Sequence, residues 1–174
     1  MTSIPLSVPA LLLLVVVPFL LAYAAASDLL TMTIPNRISL ALVAAFAVFA
    51  AVGLGWHDAL VHAGVGLSVL AATFAMFALG WIGGGDAKLA AATALWLGLD
   101  GLGDYLLLAG IAGGALTLGL LAARRYPLPG FAQSWTWALR LHDHRTGVPY
   151  GIALAASALV VLPHSSLWGA ALAG

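Results

Sequence analysis

Cysteine and glutamate are both missing from this chain of 174 residues, and charge of either sign is scarce, at 7% of residues. Without cysteine there is no thiol nucleophile, disulfide or thiolate metal site. Without glutamate the zinc-protease motif HExxH cannot be written, and every acidic side chain is one of six aspartates. Six cations balance them to a net charge of zero, so no basic surface points to nucleic acid as a partner. A soluble domain has roughly a quarter of its residues charged. At 63% hydrophobic, this chain reads instead as an all-α polytopic membrane protein. About six transmembrane helices of roughly 20 residues fit its length, and we expect one membrane-embedded domain over residues 1–174.

Apolar runs place the expected spans near residues 8–26, 38–54, 59–79, 87–99, 105–123 and 148–162. The first ends in Ala24-Ala25-Ala26, as a secretory leader would. No Lys or Arg precedes it, however, so we expect it to be kept as a membrane helix. Its Pro9 and Pro18 are tolerated where neighbouring helices satisfy the freed carbonyls. The fourth run is 13 residues long, short enough for a re-entrant segment, but charge placement favours a crossing. With six spans, Arg37, Lys88, Arg124, Arg125, Arg140 and Arg145 all fall on one side. The positive-inside rule makes that side cytoplasmic and puts both termini outside. The inner loop, residues 126–147, carries Phe131, Trp135, Trp137, Leu139 and Leu141. It reads either as an amphipathic helix in the interface or as a wet loop with scattered aromatics.

This topology sorts the aspartates. Asp58, Asp100 and Asp104 fall in outer loops, and Asp28, Asp86 and Asp143 at the inner face. Asp143 lies among Arg140, His142, His144 and Arg145 and reads as a solvated charge cluster. Asp28 closes the first span and Asp86 opens a helix at the start of the fourth, at one depth. Asp86 follows Gly83-Gly84-Gly85, which free φ and remove bulk, so the backbone can turn tightly or an extended substrate strand can lie beside it. A carboxylate at the edge of an apolar run is a functional residue by default, although an aspartate at the interface also serves simply as a helix cap. Two carboxylates held together share a proton. One then activates a water while its protonated partner polarises a carbonyl, which is the dyad of an aspartyl protease.

Other chemistries have less to stand on. His142 and His144 lack a carboxylate at ligand spacing, and His57, His62 and His164 lie on or near the outer face. No serine combines a glycine-flanked turn with a histidine at its depth. A proton-relaying transporter or channel subunit needs polar residues through the bilayer, and spans two to five offer little beyond Ser68, Thr73, Thr93 and Thr117. A structural subunit of a pilus or secretion assembly is the third reading, and it would tolerate loss of both aspartates. Lys88, two residues past Asp86, points away from it along a helix. It either biases the pair electrostatically or snorkels to the interface.

The run Gly83-Gly84-Gly85-Asp86-Ala87-Lys88 matches the GxGD motif of intramembrane aspartyl proteases, and its Asp-x-Lys-Leu continuation resembles the prepilin peptidase branch. Asp28 followed by Ile34-Pro35-Asn36 resembles that branch's first catalytic segment, and Pro149-Tyr150-Gly151-Ile152-Ala153 its last helix. The resemblance implies that Asp28 and Asp86 are the catalytic pair. It also implies that Gly83, Gly85, Lys88, Pro35, Asn36, Pro149, Tyr150 and Gly151 shape the site or bind substrate, with no metal and no organic cofactor. The implied substrates are prepilin and pseudopilin precursors. Their leader is cut at the cytoplasmic face of the bacterial inner membrane, before the mature hydrophobic segment, and the other partner is the lipid bilayer. Larger bifunctional members add a four-cysteine cytoplasmic region and N-methylate the new terminus. This chain resembles the small Tad (Flp-pilin) type, which implies leader removal without methylation. Thr31 and Thr33 stand where basic residues are common, so leader recognition is expected to rest on other contacts.

Overall fold

The two prolines of the first apolar run are absorbed without breaking it. In the computed structural model, which describes residues 7–173, helix α1 spans Val8–Thr31. Ser7 caps its start, its Oγ accepting from the Ala10 N–H at 3.4 Å. A π-helical turn over Leu12–Val16 leads into Pro18, where the missing N–H would otherwise leave an ordinary α-helical bond unmade. The helix runs on past Asp28 and stops at Met32, which adopts a left-handed conformation (φ 57°, ψ 29°) with its N–H on the Asp28 carbonyl at 2.8 Å. Three hydroxyls tie the turn that follows. Ser27 Oγ donates to the Thr33 carbonyl at 2.9 Å, Thr31 Oγ1 donates to the Ser27 carbonyl at 2.7 Å, and the Thr31 and Thr33 hydroxyls meet at 2.7 Å. Thr31 and Thr33 therefore shape the chain's exit from α1. Pro35, extended as its ring requires, caps α2, Asn36–Gly53. Helix α3 follows over Trp56–Ala78 and α4 over Gly84–Ala123.

Helix α4 is 40 residues long and contains one non-helical residue, Gly98 (φ 64°, ψ −167°). A straight helix would hold Gly85 and Gly113 about 42 Å apart, at ~1.5 Å per residue. Instead a short run of contacts links them, from Gly85 through Ile34 to Gly151, and from its neighbour Tyr150 to Gly113. A β-carbon on Gly85 would come within 3.1 Å of Ile34 Cβ, one on Gly151 within 2.6 Å of Ile34 Cδ1, and one on Gly113 would overlap the Tyr150 ring. The element therefore doubles back at Gly98. His62 is folded into the bend: a β-carbon on Gly98 would sit 2.6 Å from its ring. Its Nδ1–H donates to the Leu95 carbonyl at 2.8 Å, an acceptor that the bend removes from the helical ladder. His62 lies at the end of the bundle far from Asp28, as expected, but it is buried in the protein rather than set on its face.

Helix α5, Thr136–His142, follows a short 3-10 turn over Gly130–Ser134; α6 is Tyr150–Val161 and α7 is Ser166–Ala173. The loop expected either to form an amphipathic helix or to be irregular thus contains both kinds of structure. Along it Phe131 meets Trp135 edge-on and Trp135 stacks on Trp137, with ring centroids 5.8 and 5.6 Å apart.

The expectation of about six transmembrane helices is corrected. Among the described residues, four helices, α1 to α4, are long and apolar enough to cross a membrane. The runs read as spans four and five are the two arms of α4, on either side of the reversal at Gly98. The run read as span six is the 15-residue apolar segment Tyr150–His164, short of the ~20 residues a crossing needs.

The packed interior centres on Trp96. Its Nε1–H donates to the Leu42 carbonyl at 3.1 Å, and the rings of Phe46 and Phe49 meet it edge-on at 5.5 and 5.4 Å. Around this core Phe19, Leu40, Leu67, Leu107 and Leu118 are exposed, far more apolar surface than a soluble monomer presents. The molecule is an all-α polytopic membrane protein.

Candidate active site

Asp28 is buried, only 5% exposed. Its Oδ2 accepts a hydrogen bond from the Gly151 N–H at 2.7 Å. That N–H belongs to the first turn of α6, where helical amides have no partner of their own. A β-carbon on Gly151 would reach Asp28 Oδ2 at 2.8 Å as well as Ile34, so glycine is the residue that lets α6 come this close. Tyr150, one residue earlier, fills the space over Gly113, and its hydroxyl donates to the Ala109 carbonyl at 3.1 Å. Pro149 is buried beside it. The Pro149-Tyr150-Gly151 run thus fastens α6 to the second arm of α4 on one side and to Asp28 on the other.

Asp86 stands in the first turn of α4 and is partly buried. Its Oδ2 would lie 2.9 Å from a β-carbon on Gly83, so the carboxylate folds back over the helix start. Ile34 packs against Gly85, the residue before Asp86, and against Gly151, whose N–H holds Asp28, so the two carboxylates lie at the same end of the bundle. The glycine run serves this arrangement through room rather than through unusual backbone. Gly83 is extended (φ −73°, ψ 145°), Gly84 and Gly85 are helical, and none has a positive φ. The space beside Gly85, expected to admit a substrate strand, is taken by the chain's own Ile34, whose backbone N and O would lie 3.4 and 3.5 Å from a β-carbon there.

Lys88 and Asn36 meet each other: Lys88 Nζ donates to Asn36 Oδ1 at 2.8 Å on the exposed side of the site. Pro35 sets the start of α2 that brings Asn36 there. The structure therefore gathers Asp28, Asp86 and each of the neighbouring residues singled out in the sequence at one end of the bundle.

Two arginines that the sequence reading used only as topological charges also belong to this end. Arg124, at the C-terminus of α4 and 6% exposed, has its guanidinium in a cage of acceptors. Nε donates to the Leu141 carbonyl at 2.7 Å, and Nη2 donates to the Gly147 carbonyl at 3.0 Å and to Thr146 Oγ1 at 3.2 Å. Arg140 Nη1 donates to the Leu30 carbonyl at 2.9 Å, two residues past Asp28. Together they tie the inner loop to the ends of α1 and α4, immediately before Pro149. Backbone carbonyls carry no side-chain signature, so only the position of Arg124 at the close of an apolar run hinted at this role.

The model of the type IV leader peptidase family matches residues 15–118. The chain belongs to this family. Comparison with curated proteins and with solved structures gives no match. As a type IV leader peptidase, the chain is a prepilin peptidase, an aspartic-type endopeptidase. The matched residues include both Asp28 and Asp86 and end before Pro149. It is the hydrogen bond from Gly151 to Asp28 that draws α6 of this prepilin peptidase to the same end of the bundle.

Proposed function

We propose that Asp28 and Asp86 are the catalytic pair of this prepilin peptidase. The observation that carries the reading is the setting of Asp28: a buried carboxylate in the last turn of its helix, held by a backbone N–H from another helix. A cap belongs at the other end of a helix, and the dipole disfavours negative charge where Asp28 lies. In the reaction one carboxylate takes a proton from water as the oxygen attacks the scissile carbonyl. The protonated partner gives its proton to the carbonyl oxygen, forming a tetrahedral diol. Collapse breaks the C–N bond, with a proton passing to the leaving amine, and restores a pair holding one proton. Neither a metal nor an organic cofactor takes part.

The proposed substrates are type IV pilin precursors of the Flp type and related pseudopilins, which lose their leader without N-methylation. The proposed location is the bacterial inner membrane with the site at its cytoplasmic face. The hydrogen bonds of Lys88, Arg124 and Arg140 put these cations at the site end of the bundle, where Arg37, Arg125 and Arg145 neighbour them in sequence, and cations mark the cytoplasmic side. The start of α1 touches α7, and we read both as lying at the end of the bundle away from the site. Co-expression with a candidate precursor tests the reading. Leader removal, read as the mass of the product, is expected for the wild type and absent for Asp28→Asn and Asp86→Asn, each accumulating in the membrane. Processing that survives either change would remove that residue from the pair.

A further inference from the structure

Four side-chain hydroxyls among the described residues are buried with no hydrogen-bond partner: those of Ser39, Thr93, Tyr105 and Ser157. Leaving such a group unpaired costs stability, and a helix offers Ser and Thr a remedy in the carbonyl one turn back. Thr73 and Thr117 take it, donating to the Val69 and Gly113 carbonyls at 2.7 Å each. Thr93 and Ser157, equally helical, do not.

Three of the four hydroxyls fall at one level of the bundle. A β-carbon on Gly101 would lie 3.2 Å from Leu97 Cβ and 3.4 Å from Val161 Cγ1, so both arms of α4 and helix α6 meet there. Four residues from Leu97, Gly101 and Val161, about one turn nearer the carboxylates, stand Thr93, Tyr105 and Ser157 respectively. The contact at the site end gives the same register. Tyr150 packs over Gly113, and about two turns away are Ser157 on α6 and Tyr105 on α4, each on the face that makes the contact. Thr93 likewise shares a face with Asp86, about 10 Å along the first arm. Ser39 stands apart on α2.

The adjacent residues on these faces, Ala90, Ala109 and Leu154, are buried and have no polar side-chain atom. Three hydroxyls from three helical segments, each able to donate and accept, match a buried water, which makes about three hydrogen bonds to groups otherwise unsatisfied. We infer that Thr93, Tyr105 and Ser157 form a buried water-binding site that ties α6 to both arms of α4, on the helix whose Gly151 amide holds Asp28. The site stands on packing and is independent of the catalytic roles proposed above.

Hydroxyl-radical labelling by X-ray radiolysis, read by mass spectrometry on the full chain in detergent, tests the site, because radicals formed from a bound water attack the side chains that hold it. Tyr105 is expected to be oxidised about fivefold faster than Trp96, which is as deeply buried but donates to the Leu42 carbonyl. Ser157→Ala should bring Tyr105 down to the rate of Trp96. Equal protection of the two residues in the wild type, or labelling of Tyr105 that ignores Ser157→Ala, overturns the inference. Thermal unfolding supplies a second, independent sign. Thr93→Val keeps the shape and removes the hydroxyl, whereas Thr93→Ser keeps the hydroxyl and removes a methyl. A water held at Thr93 makes Val the more damaging change, with Tm about 3 °C below that of Ser. A hydroxyl without a partner gives the reverse order, since Val then relieves a cost and Ser opens a cavity, and that order overturns the inference too.

Discussion

Asp28 occupies the last turn of α1, where the helix dipole opposes a carboxylate, whereas Asp86 occupies the first turn of α4, where the dipole favours one. Asp86 folds back over Gly83 in a manner that any helix start could use, and an aspartate there is locally favourable with or without a function. Asp28 has no such local reason. It is buried, at the wrong end of its helix, and compensated by one N–H from a segment more than a hundred residues away. The geometry at Asp28 therefore speaks for the proposed role over that of a cap, and the geometry at Asp86 alone would not.

The largest test of this contrast is also the simplest. Asp28→Asn and Asp86→Asn are each expected to lower kcat by ~1,000-fold or more, as loss of a residue acting within a catalytic unit does, despite their opposite settings. Unequal losses in a quantitative leader-removal assay would mean that only one carboxylate takes part in the chemistry. Next, Gly151→Val forces its side chain against Asp28 and Ile34. Cleavage should fall by about 100-fold, because displacing a reacting group by ~1 Å has that cost. Gly103→Val, in open space on the same chain, serves as the control that should not share that loss.

Arg124→Met orphans the carbonyls of Leu141 and Gly147 and loosens the segment leading to Gly151, for an expected loss of roughly tenfold in kcat. Arg124→Lys should recover part of it, and equal losses for Met and Lys would mean that the charge at this position is irrelevant. A smaller effect concerns stability. Asn at position 28 removes a charge that its helix disfavours, and Asn at position 86 removes one that its helix favours. Thermal unfolding in detergent should therefore find Asp28→Asn the more stable by about 1 kcal/mol, and the reverse order would contradict the contrast drawn above. The smallest effect is expected of Lys88→Met, which breaks an exposed hydrogen bond to Asn36. Such pairs contribute ~1 kcal/mol or less, so cleavage should drop by only a few-fold with its pH dependence unchanged. A moved pH profile would instead make Lys88 an electrostatic partner of the pair.

The candidate site was legible in the sequence because its proposed chemistry is written in side chains. An aspartate behind three glycines, an aspartate before Ile34-Pro35-Asn36, and the Pro149-Tyr150-Gly151 run are visible without coordinates, and the structure sets them side by side. The helix boundaries were legible as well, since apolar runs and Pro35 mark them. What escaped was written in backbone. Gly98 is one of 20 glycines, and nothing in Leu97-Gly98-Leu99 marks it as the point of reversal, which the sequence reading put a few residues later, between the runs 87–99 and 105–123. The count of long spans came out lower because these two runs form one bent element and the apolar segment after Tyr150 is short. The hydrogen bonds of Arg124 and Arg140 end on carbonyls, so those residues read as membrane-orienting charges. Asp28 was read as the end of its span, and its unfavourable place within the final turn appeared only when α1 was seen to continue to Thr31.

Ile34 touches both Gly85 and Gly151, and so separates the helix bearing Asp86 from the one that grips Asp28. It acts as a shim made of hydrocarbon. Packing of this kind responds to the size of a side chain and hardly at all to ionic strength, so acid or salt can change the charge on the two carboxylates without altering the gap between them. That gap can be adjusted one methylene at a time, through Ile34→Val or Ile34→Leu, leaving every polar group of the site in place.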